Sequence, residues 1–266
     1  MVQLSELVSY LEELWPVESA DDWDRPGLSV GSREATVSSV LLSVDVTSAI
    51  VDEAIQVGAN LILSHHPLLL RGVNDVSEQS LKGEIVTKAI KNDVAIYSAH
   101  TNADKAPTGT AAALAQLYGL TNLRVLDPET GHGLIGQLPE PMTLLQFSTK
   151  IAKLLPPVAA GIKVAGDHQA IVKTIALSPG AGDADLGKAL AAQVDVFITS
   201  DLRHHPAQDF IETPGDRTRA LIDVSHWASE SIYLDKVAQL LLDKFPGLHV
   251  RVSEVRTDPW DFAVMQ

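Results

Sequence analysis

The sequence contains no cysteine. That excludes disulfide scaffolds, thiolate zinc sites, iron–sulfur clusters and cysteine nucleophiles. No run of about 18 apolar residues occurs, so nothing in it reads as a membrane span. The opening MVQLSELVSYLEELW carries acid in place of Lys or Arg and lacks a compact apolar stretch, so it does not read as a signal peptide. Basic residues are scarce, with 20 Lys plus Arg against 34 Asp plus Glu and a formal charge of −14. A nonspecific nucleic-acid coat needs a basic surface and is excluded, although a small basic groove stays open. There is no internal repeat and no low-complexity tract. What is left is a cytoplasmic α/β protein. Its 266 residues can bury a core without staples. At about 150 residues per domain they make one large or two small domains.

The apolar pattern is specific. Leu4, Leu7, Val8, Leu11, Leu14 and Trp15 recur at helical spacing, and Pro16 ends that helix. Ser19 to Pro26 is polar and turn-like. A strand–helix rhythm follows. Val40–Val46 reads as a strand, and Ser48–Val57 as a helix with Thr47 or Ser48 as cap and Gly58 past its end. Asn60–Ser64 reads as a strand, Glu84–Lys91 as helix, Val94–Ala99 as strand, and Gly109–Tyr118 as helix. Such alternation implies βαβ units and a parallel sheet. Gly131, Gly133, Gly136, Pro139 and Pro141 then mark a composition shift, which places a boundary near 127. Beyond it Thr143–Leu155 reads as a helix and Val158–Val164 as a strand. Ile171–Ser178, Ala184–Ala192 and Val194–Thr199 form a second strand–helix–strand run. Ala220–Val224 is another strand, Ser229–Lys244 a long helix and Val250–Val255 a last strand. The expected fold is two interlinked α/β domains with largely parallel strands. One is formed by both chain ends, 1–127 plus 225–266, and 128–224 is inserted as the second.

In open parallel sheets, sites form outside the carboxyl ends of the strands. Asp45 ends the first strand, and His65 and His66 follow the second. His100, with Thr101, Asn102 and Asp104, follows the third. Asp201, His204 and His205 follow FITS, and Ser225, His226 and Glu230 follow ALIDV. Adjacent side chains on a strand point to opposite faces, but just past a strand end His65 and His66 can splay toward two neighbouring ions. Pro67 biases His66 toward an extended backbone. His226 and Glu230 are four apart and share a helical face, as are His100 and Asp104. Imidazoles with Asp104 and Glu230 are borderline ligands for Zn, Mn, Fe or Co. Read singly, His226 is equally a strand cap and Glu230 a solvated helix charge; it is the combination that favours metal, at strand ends near the domain interface. His132, His168 and His249 read as surface residues.

Two motifs fail on context. Gly27-Leu28-Ser29-Val30-Gly31 matches G-x-S-x-G, but neither flank supplies the strand and helix of a nucleophile elbow. Gly131-His132-Gly133-Leu134-Ile135-Gly136 matches G-x-G-x-x-G, but Pro139 and Pro141 follow where a helix should open. Pro179-Gly180-Ala181-Gly182, between a strand and a helix, is either an anion cradle or an ordinary βα turn.

In order along the chain stand DDWDRPGLSVG, LLSVDVT, ANLILSHHPLLL, YSAHTNADKAPTG, DVFITSDLRHHPA and LIDVSHWASE. Together they closely resemble the dinuclear-metal family known as GTP cyclohydrolase I type 2, also called Nif-three-like. The match spans both ends, is specific in HHP, HTNAD and SHWASE, and is thin from about 137 to 170. The resemblance implies that His65, His66, Asp104, His226 and Glu230 hold two divalent metal ions. It also implies a ring-shaped homohexamer, a trimer of dimers. The chain departs from the family in two places. Leu134 stands where an arginine is common, and Thr199-Ser200-Asp201 replaces TGD. A lost arginine weakens recognition of phosphate or carboxylate. Larger members carry an inserted domain, which this length does not accommodate. Two divalent ions outweigh Asp104 and Glu230 in charge and favour a small anionic or nucleotide-like ligand. Such a pair acidifies water and clamps an attacked oxygen, which fits hydrolysis of a purine ring or phosphate ester. His100, His204 or Asp201 would shuttle protons, and His100 or Asp45 would orient a ligand. The implied function is a metal-dependent hydrolase; the alternatives are a non-catalytic metal-binding or scaffold ring and a phosphate or nucleotide sensor using Gly180–Gly182.

Overall fold

A computed structural model describes residues 1–215 and 219–264. The chain divides into two compact units, Met1–Thr108 with Tyr233–Thr257, and Gly109–Ile232 with Asp258–Gln266. Each is a sheet with helices, so the mixed α/β class with parallel strands holds. Among the described residues no helix is long and apolar enough to cross a membrane.

The first unit is built on a five-stranded sheet. Strands β4 (Ser39–Ser43), β5 (Leu61–Ser64) and β6 (Ala95–Ser98) run parallel, and β13 (His249–Val252) joins β4 in the same sense. Strand β2 (Gly27–Val30) closes the β6 edge antiparallel. The short strands β1 (Val2–Gln3) and β3 (Thr36–Val37) pair beside it as a separate ribbon. Every residue of β5 and β6 is buried. That is why these segments read as continuous apolar runs without alternation. Helix α1 (Leu4–Leu14) buries Leu4, Leu7, Val8 and Leu11. Helix α2 (Ser48–Val57) starts where Thr47 Oγ1 accepts from the Ile50 amide and stops at Gly58, φ +69°. Helix α3 (Leu81–Lys91) is capped by Ser80. A short turn α4 (Thr101–Asp104) follows β6, and α10 (Tyr233–Lys244) returns late in the chain. Ile50, Val51, Ala54, Ile85 and Ala89 pack on Leu41, Ile62 and Ile96. Each large aliphatic side chain buried there contributes about 1.5–3 kcal/mol.

The second unit has a six-stranded mixed sheet. Strands β10 (Ile171–Ala181), β11 (Val196–Ser200) and β12 (Ala220–Asp223) are parallel. Strands β8 (Leu134–Thr143) and β9 (Lys163–Ala165) flank them antiparallel, and β7 (Thr121–Val125) pairs antiparallel with β8. Its central strands alternate strictly. Ile175, Leu177, Val196, Ile198 and Ile222 face a core closed by α5 (Thr110–Tyr118) and α6 (Leu144–Leu154). Ala176, Phe197 and Leu221 face a second core closed by α7 (Leu186–Ala191) and α8 (His204–Glu212). The period of two assigns neighbouring residues to opposite faces. Thr143 and Gln146 form a reciprocal capping box at the start of α6. Helix α9 (His226–Ser231) follows β12.

The unit division falls at Thr108/Gly109, Ile232/Tyr233 and Thr257/Asp258; the ranges read from composition change at 127/128 and 224/225. The reason is packing. Ala111, Leu114, Ala115 and Tyr118 of α5 are buried in one core with Phe147 and Ile175. Those ranges also include 216–218 and 265–266, which lie outside the described residues. Other boundaries differ too. The helix read as Ser229–Lys244 is two helices, α9 and α10, meeting at Ile232. The strand read as Val158–Val164 is only Lys163–Ala165. The expected last strand, Val250–Val255, is His249–Val252. Strand β10 runs on through Pro179–Ala181, and Gly182 caps a single 3-10 turn, Asp183–Asp185, that leads straight into α7 at Leu186. In the GLSVG segment Gly27–Val30 is edge strand β2, and GHGLIG ends the β7–β8 connection with residues 131–133 and begins β8 with residues 134–136.

Candidate metal centre

In the first unit the last residues of three adjacent parallel strands are in register, Ser43 with Ser64 and Ser64 with Ser98. Whatever follows them therefore emerges at one sheet edge. The serine hydroxyls turn the chain there: Ser43 Oγ donates to the Asp45 carbonyl (2.7 Å) and Ser64 Oγ to the His66 carbonyl (2.9 Å). The His65 and His66 amides still bond to the Ser43 and Val44 carbonyls, which fixes the pair.

Their rings lie 5.0 Å apart, and that of His100 is 5.1 Å from His65 and 5.2 Å from His66. One ring nitrogen of each lies within 4.8 Å of the others. His65 is fully buried and also packs on buried Tyr233 (5.3 Å). Asp104 is carried in by the α4 turn, and its Oδ1 is 3.5 Å from His65 Nε2.

Each imidazole is tied by its Nδ1. His65 Nδ1 bonds to the Ala99 carbonyl (2.9 Å), His66 Nδ1 to Asp45 Oδ1 (2.7 Å) and His100 Nδ1 to Asp24 Oδ1 (2.8 Å). Such bonds fix the tautomer that presents a lone pair at Nε2, and they raise its basicity. Thr257 Oγ1 in turn holds Asp45 through Oδ2 (2.5 Å). Buried Asp24 also accepts from the Thr101 amide (3.0 Å) and hydroxyl (2.6 Å). Burial alone would raise its pKa; the bonds from His100 and Thr101 outweigh that and hold the carboxyl well below the ordinary range.

The second unit repeats the device at the carboxyl ends of β10, β11 and β12. Asp201 follows β11 in the left-handed region, φ +56°. Ser225 caps α9 by accepting from the Ala228 amide (3.2 Å). His226 then places Nδ1 at Asp201 Oδ2 (2.7 Å) and Nε2 at Glu230 Oε1 (3.0 Å). Glu230 is buried. Burial would lower the pKa of His226, but Glu230 and Asp201 push it up to about 11. The His226 bond lowers that of Asp201. Two carboxylates around one imidazole make this position favour positive charge, whether a proton or a cation.

Gly180 completes this group. Its φ is +72°, and a Cβ there would stand 2.6 Å from Glu230 Oε1 and 3.3 Å from His226 Nε2. The strand backbone thus approaches the pair as only glycine allows. Its amide and carbonyl bond to Ser229 Oγ (3.3 Å) and Thr199 Oγ1 (3.0 Å).

The structure thus gathers His65, His66, His100, Asp104 and Asp45 in one unit, and His226, Glu230 and Asp201 in the other. His204 and His205 are exposed on the first turn of α8, their rings 5.1 Å apart. His132 is half-buried, and His168 and His249 are exposed. Sequence reasoning passed over Asp24 and the role of Gly180. Asp24 sat in a turn-like segment, and Gly180 in a glycine-rich one read as either an anion cradle or an ordinary βα turn.

The sequence profile of the Duf34/NIF3 family (NGG1p interacting factor 3) matches residues 2–259. The chain belongs to the NIF3 family. It is 42% identical over 272 residues to a GTP cyclohydrolase 1 type 2 homolog of Streptomyces coelicolor, covering 98% of this chain and 94% of that protein. A Mycobacterium tuberculosis protein of the same name is 30% identical, covering 98% of this chain and 97% of the relative. That alignment runs over 372 positions, longer than this chain, so the mycobacterial relative carries added sequence. Among solved structures, a Bacillus cereus protein related to NIF3 superposes with a TM-score of 0.89 at 25% identity, covering 97% of this chain and 98% of its own. A Staphylococcus aureus protein gives 0.88 at 27% identity, covering 98% and 99%.

Proposed function

We propose that this NIF3 protein binds two divalent metal ions per chain and uses them to hydrolyse a nucleotide-like substrate. The observation that carries the reading is the common state of four histidines. His65, His66, His100 and His226 each have Nδ1 at an oxygen acceptor; in His65, His66 and His226 this directs Nε2 to serve as ligand, and His100 stands beside them outside the ligand set. The donors fit a borderline ion such as Zn, Mn, Fe or Co: imidazoles with Asp104 in the first unit, and His226 with Glu230 in the second. His65, His66, Asp104, His226 and Glu230 are the ligands in this reading. The name shared by the curated relatives supports the substrate class.

When bound, a pair of such ions supplies an acidified water and Lewis-acid stabilisation of an attacked oxygen. The chain's own part is orientation. Asp45 holds His66, Asp24 holds His100, and Asp201 holds His226, so Asp201 acts through the ring it bonds. His204, exposed on α8 beside the equally exposed His205, takes the role of proton carrier in this reading. The proposed assembly that goes with this reading is a homohexamer, and the test of it is the particle mass in solution.

The test is elemental analysis of the purified protein with His65→Ala and Glu230→Ala beside it, followed by assay of the metal-loaded protein against GTP and a panel of phosphoesters. Two ions in the parent, reduced metal in both variants and turnover of one substrate are expected. Full occupancy in both variants overturns the ligand assignment. Bound metal without turnover on any substrate replaces hydrolysis with a metal-binding or scaffold role.

A further inference from the structure

The segment Asp21–Pro26 does more than supply Asp24. It is held at both ends of a tight turn onto the segment that carries His100. The Asp21 amide donates to Thr101 Oγ1 (3.0 Å), and Lys105 Nζ reaches both Asp21 Oδ1 (2.6 Å) and the Ser19 carbonyl (2.9 Å). The Asp24 amide bonds back to the Asp21 carbonyl (2.9 Å), and the Asp24 carboxylate takes His100 and Thr101. A loop fixed this heavily cannot turn to hide a side chain.

Yet it presents Trp23 to solvent, 56% exposed, while Trp15 in the same unit is 1% exposed. The indole stands 5.7 Å from the His100 ring at 80°, beside the three-imidazole cluster. A rigid loop that holds a large apolar ring open at the edge of a polar donor cluster has the form of a ligand wall.

We propose that Trp23 stacks the planar heteroaromatic ring of the substrate, with the reacting part of that substrate at the imidazole cluster. This rests on the nucleotide-like reading above and adds to it the residue that selects a base. Indole offers the widest π face of any side chain, and stacking on it tolerates different bases because every base has such a face.

The experiment uses metal-loaded full-length protein, with guanosine 5′-monophosphate and ribose 5-phosphate as probes in titration calorimetry. The parent is expected to bind the guanosine nucleotide more tightly than the sugar phosphate. Trp23→Ala should weaken nucleotide binding roughly 5- to 150-fold, the span of base–aromatic stacking, and leave ribose 5-phosphate unchanged. Trp23→Phe, which keeps a ring, should recover most of the loss. Metal content of Trp23→Ala is read alongside and should equal the parent's, so failure here is distinguishable from failure of the metal assignment. Equal binding of the two probes by the parent, or nucleotide binding unaffected in Trp23→Ala, overturns the proposal. A change in the mass of the assembly with nucleotide affinity intact overturns it too, and assigns the ring to a contact between copies.

Discussion

Substituting Gly180 by alanine separates backbone strain from damage to the His226–Glu230 pair, because the fold contains its own control. Gly58 and Gly180 have nearly the same left-handed φ, +69° and +72°. A Cβ on Gly58 meets nothing within 4 Å, whereas one on Gly180 falls 2.6 Å from Glu230 Oε1. An alanine in that backbone region costs about 1–2 kcal/mol at either place. For a chain of this size that lowers the melting temperature by roughly 2–4 °C per kcal/mol. The atom struck at Gly180 is the end of a flexible carboxylate, so it can move aside and add little to the folding cost. What it cannot do is stay where it is. Metal-free Gly58→Ala and Gly180→Ala should therefore melt within a few degrees of each other. Metal affinity should be intact in the first and fall about 10- to 100-fold in the second, the range seen when a ligand loses its support. Thermal melting of the metal-free proteins and competitive chelator titration read the two quantities independently. Equal metal affinity in the two variants would refute the assignment of Glu230 and His226 as ligands placed by this strand.

Two further outcomes test other parts of the argument. Asp24→Ala leaves the Thr101 amide, the Thr101 hydroxyl and His100 Nδ1 without their acceptor. At about 1–3 kcal/mol per buried unsatisfied group, partly relieved by water, urea unfolding should show a loss of at least about 3 kcal/mol; a loss under about 1 kcal/mol contradicts its place as the anchor. Asp127 is buried at the second unit and takes bonds from Lys188, Thr130 and the Glu129 amide. Burial opposes its ionisation, but these partners prevail and hold its pKa at about 2. A depressed carboxylate stabilises the fold above its unfolded pKa near 3.9 and loses that contribution as pH falls toward 2. The stability gap between the parent and Asp127→Asn should be constant near neutrality and narrow below about pH 4. A gap independent of pH would show that ionised Asp127 adds nothing.

The parallel strands were legible because burial on both faces writes itself as unbroken apolar runs, as in LILS and VFITS, and because polar residues collect just past their ends. The histidines and carboxylates were legible for the same reason. What the sequence concealed is which oxygen steadies which imidazole: Asp24 is passed over, and Asp201 reads as a proton carrier. Asp24 meets His100 across 76 positions, and Asp201 meets His226 across 25. Neither spacing is a helical or strand period, so no local pattern announces them. Edge strands were concealed by the opposite cause: all five residues of β7 are exposed, so it carries no buried face to set a period. The single long helix read across 229–244 shows a third limit, since an unbroken helical pattern says nothing of where the axis changes, and Ile232 separates two helices that belong to different compact units. Within each unit the directing contacts are thus set by topology. A parallel sheet delivers ligands to one edge through strand register alone, but which oxygen steadies each imidazole depends on loops whose partners lie far away in the chain. Substitutions at Asp45 and Asp201 should therefore alter metal affinity without altering the ligand list, and that is the signature that separates a built centre from a chance gathering of histidines.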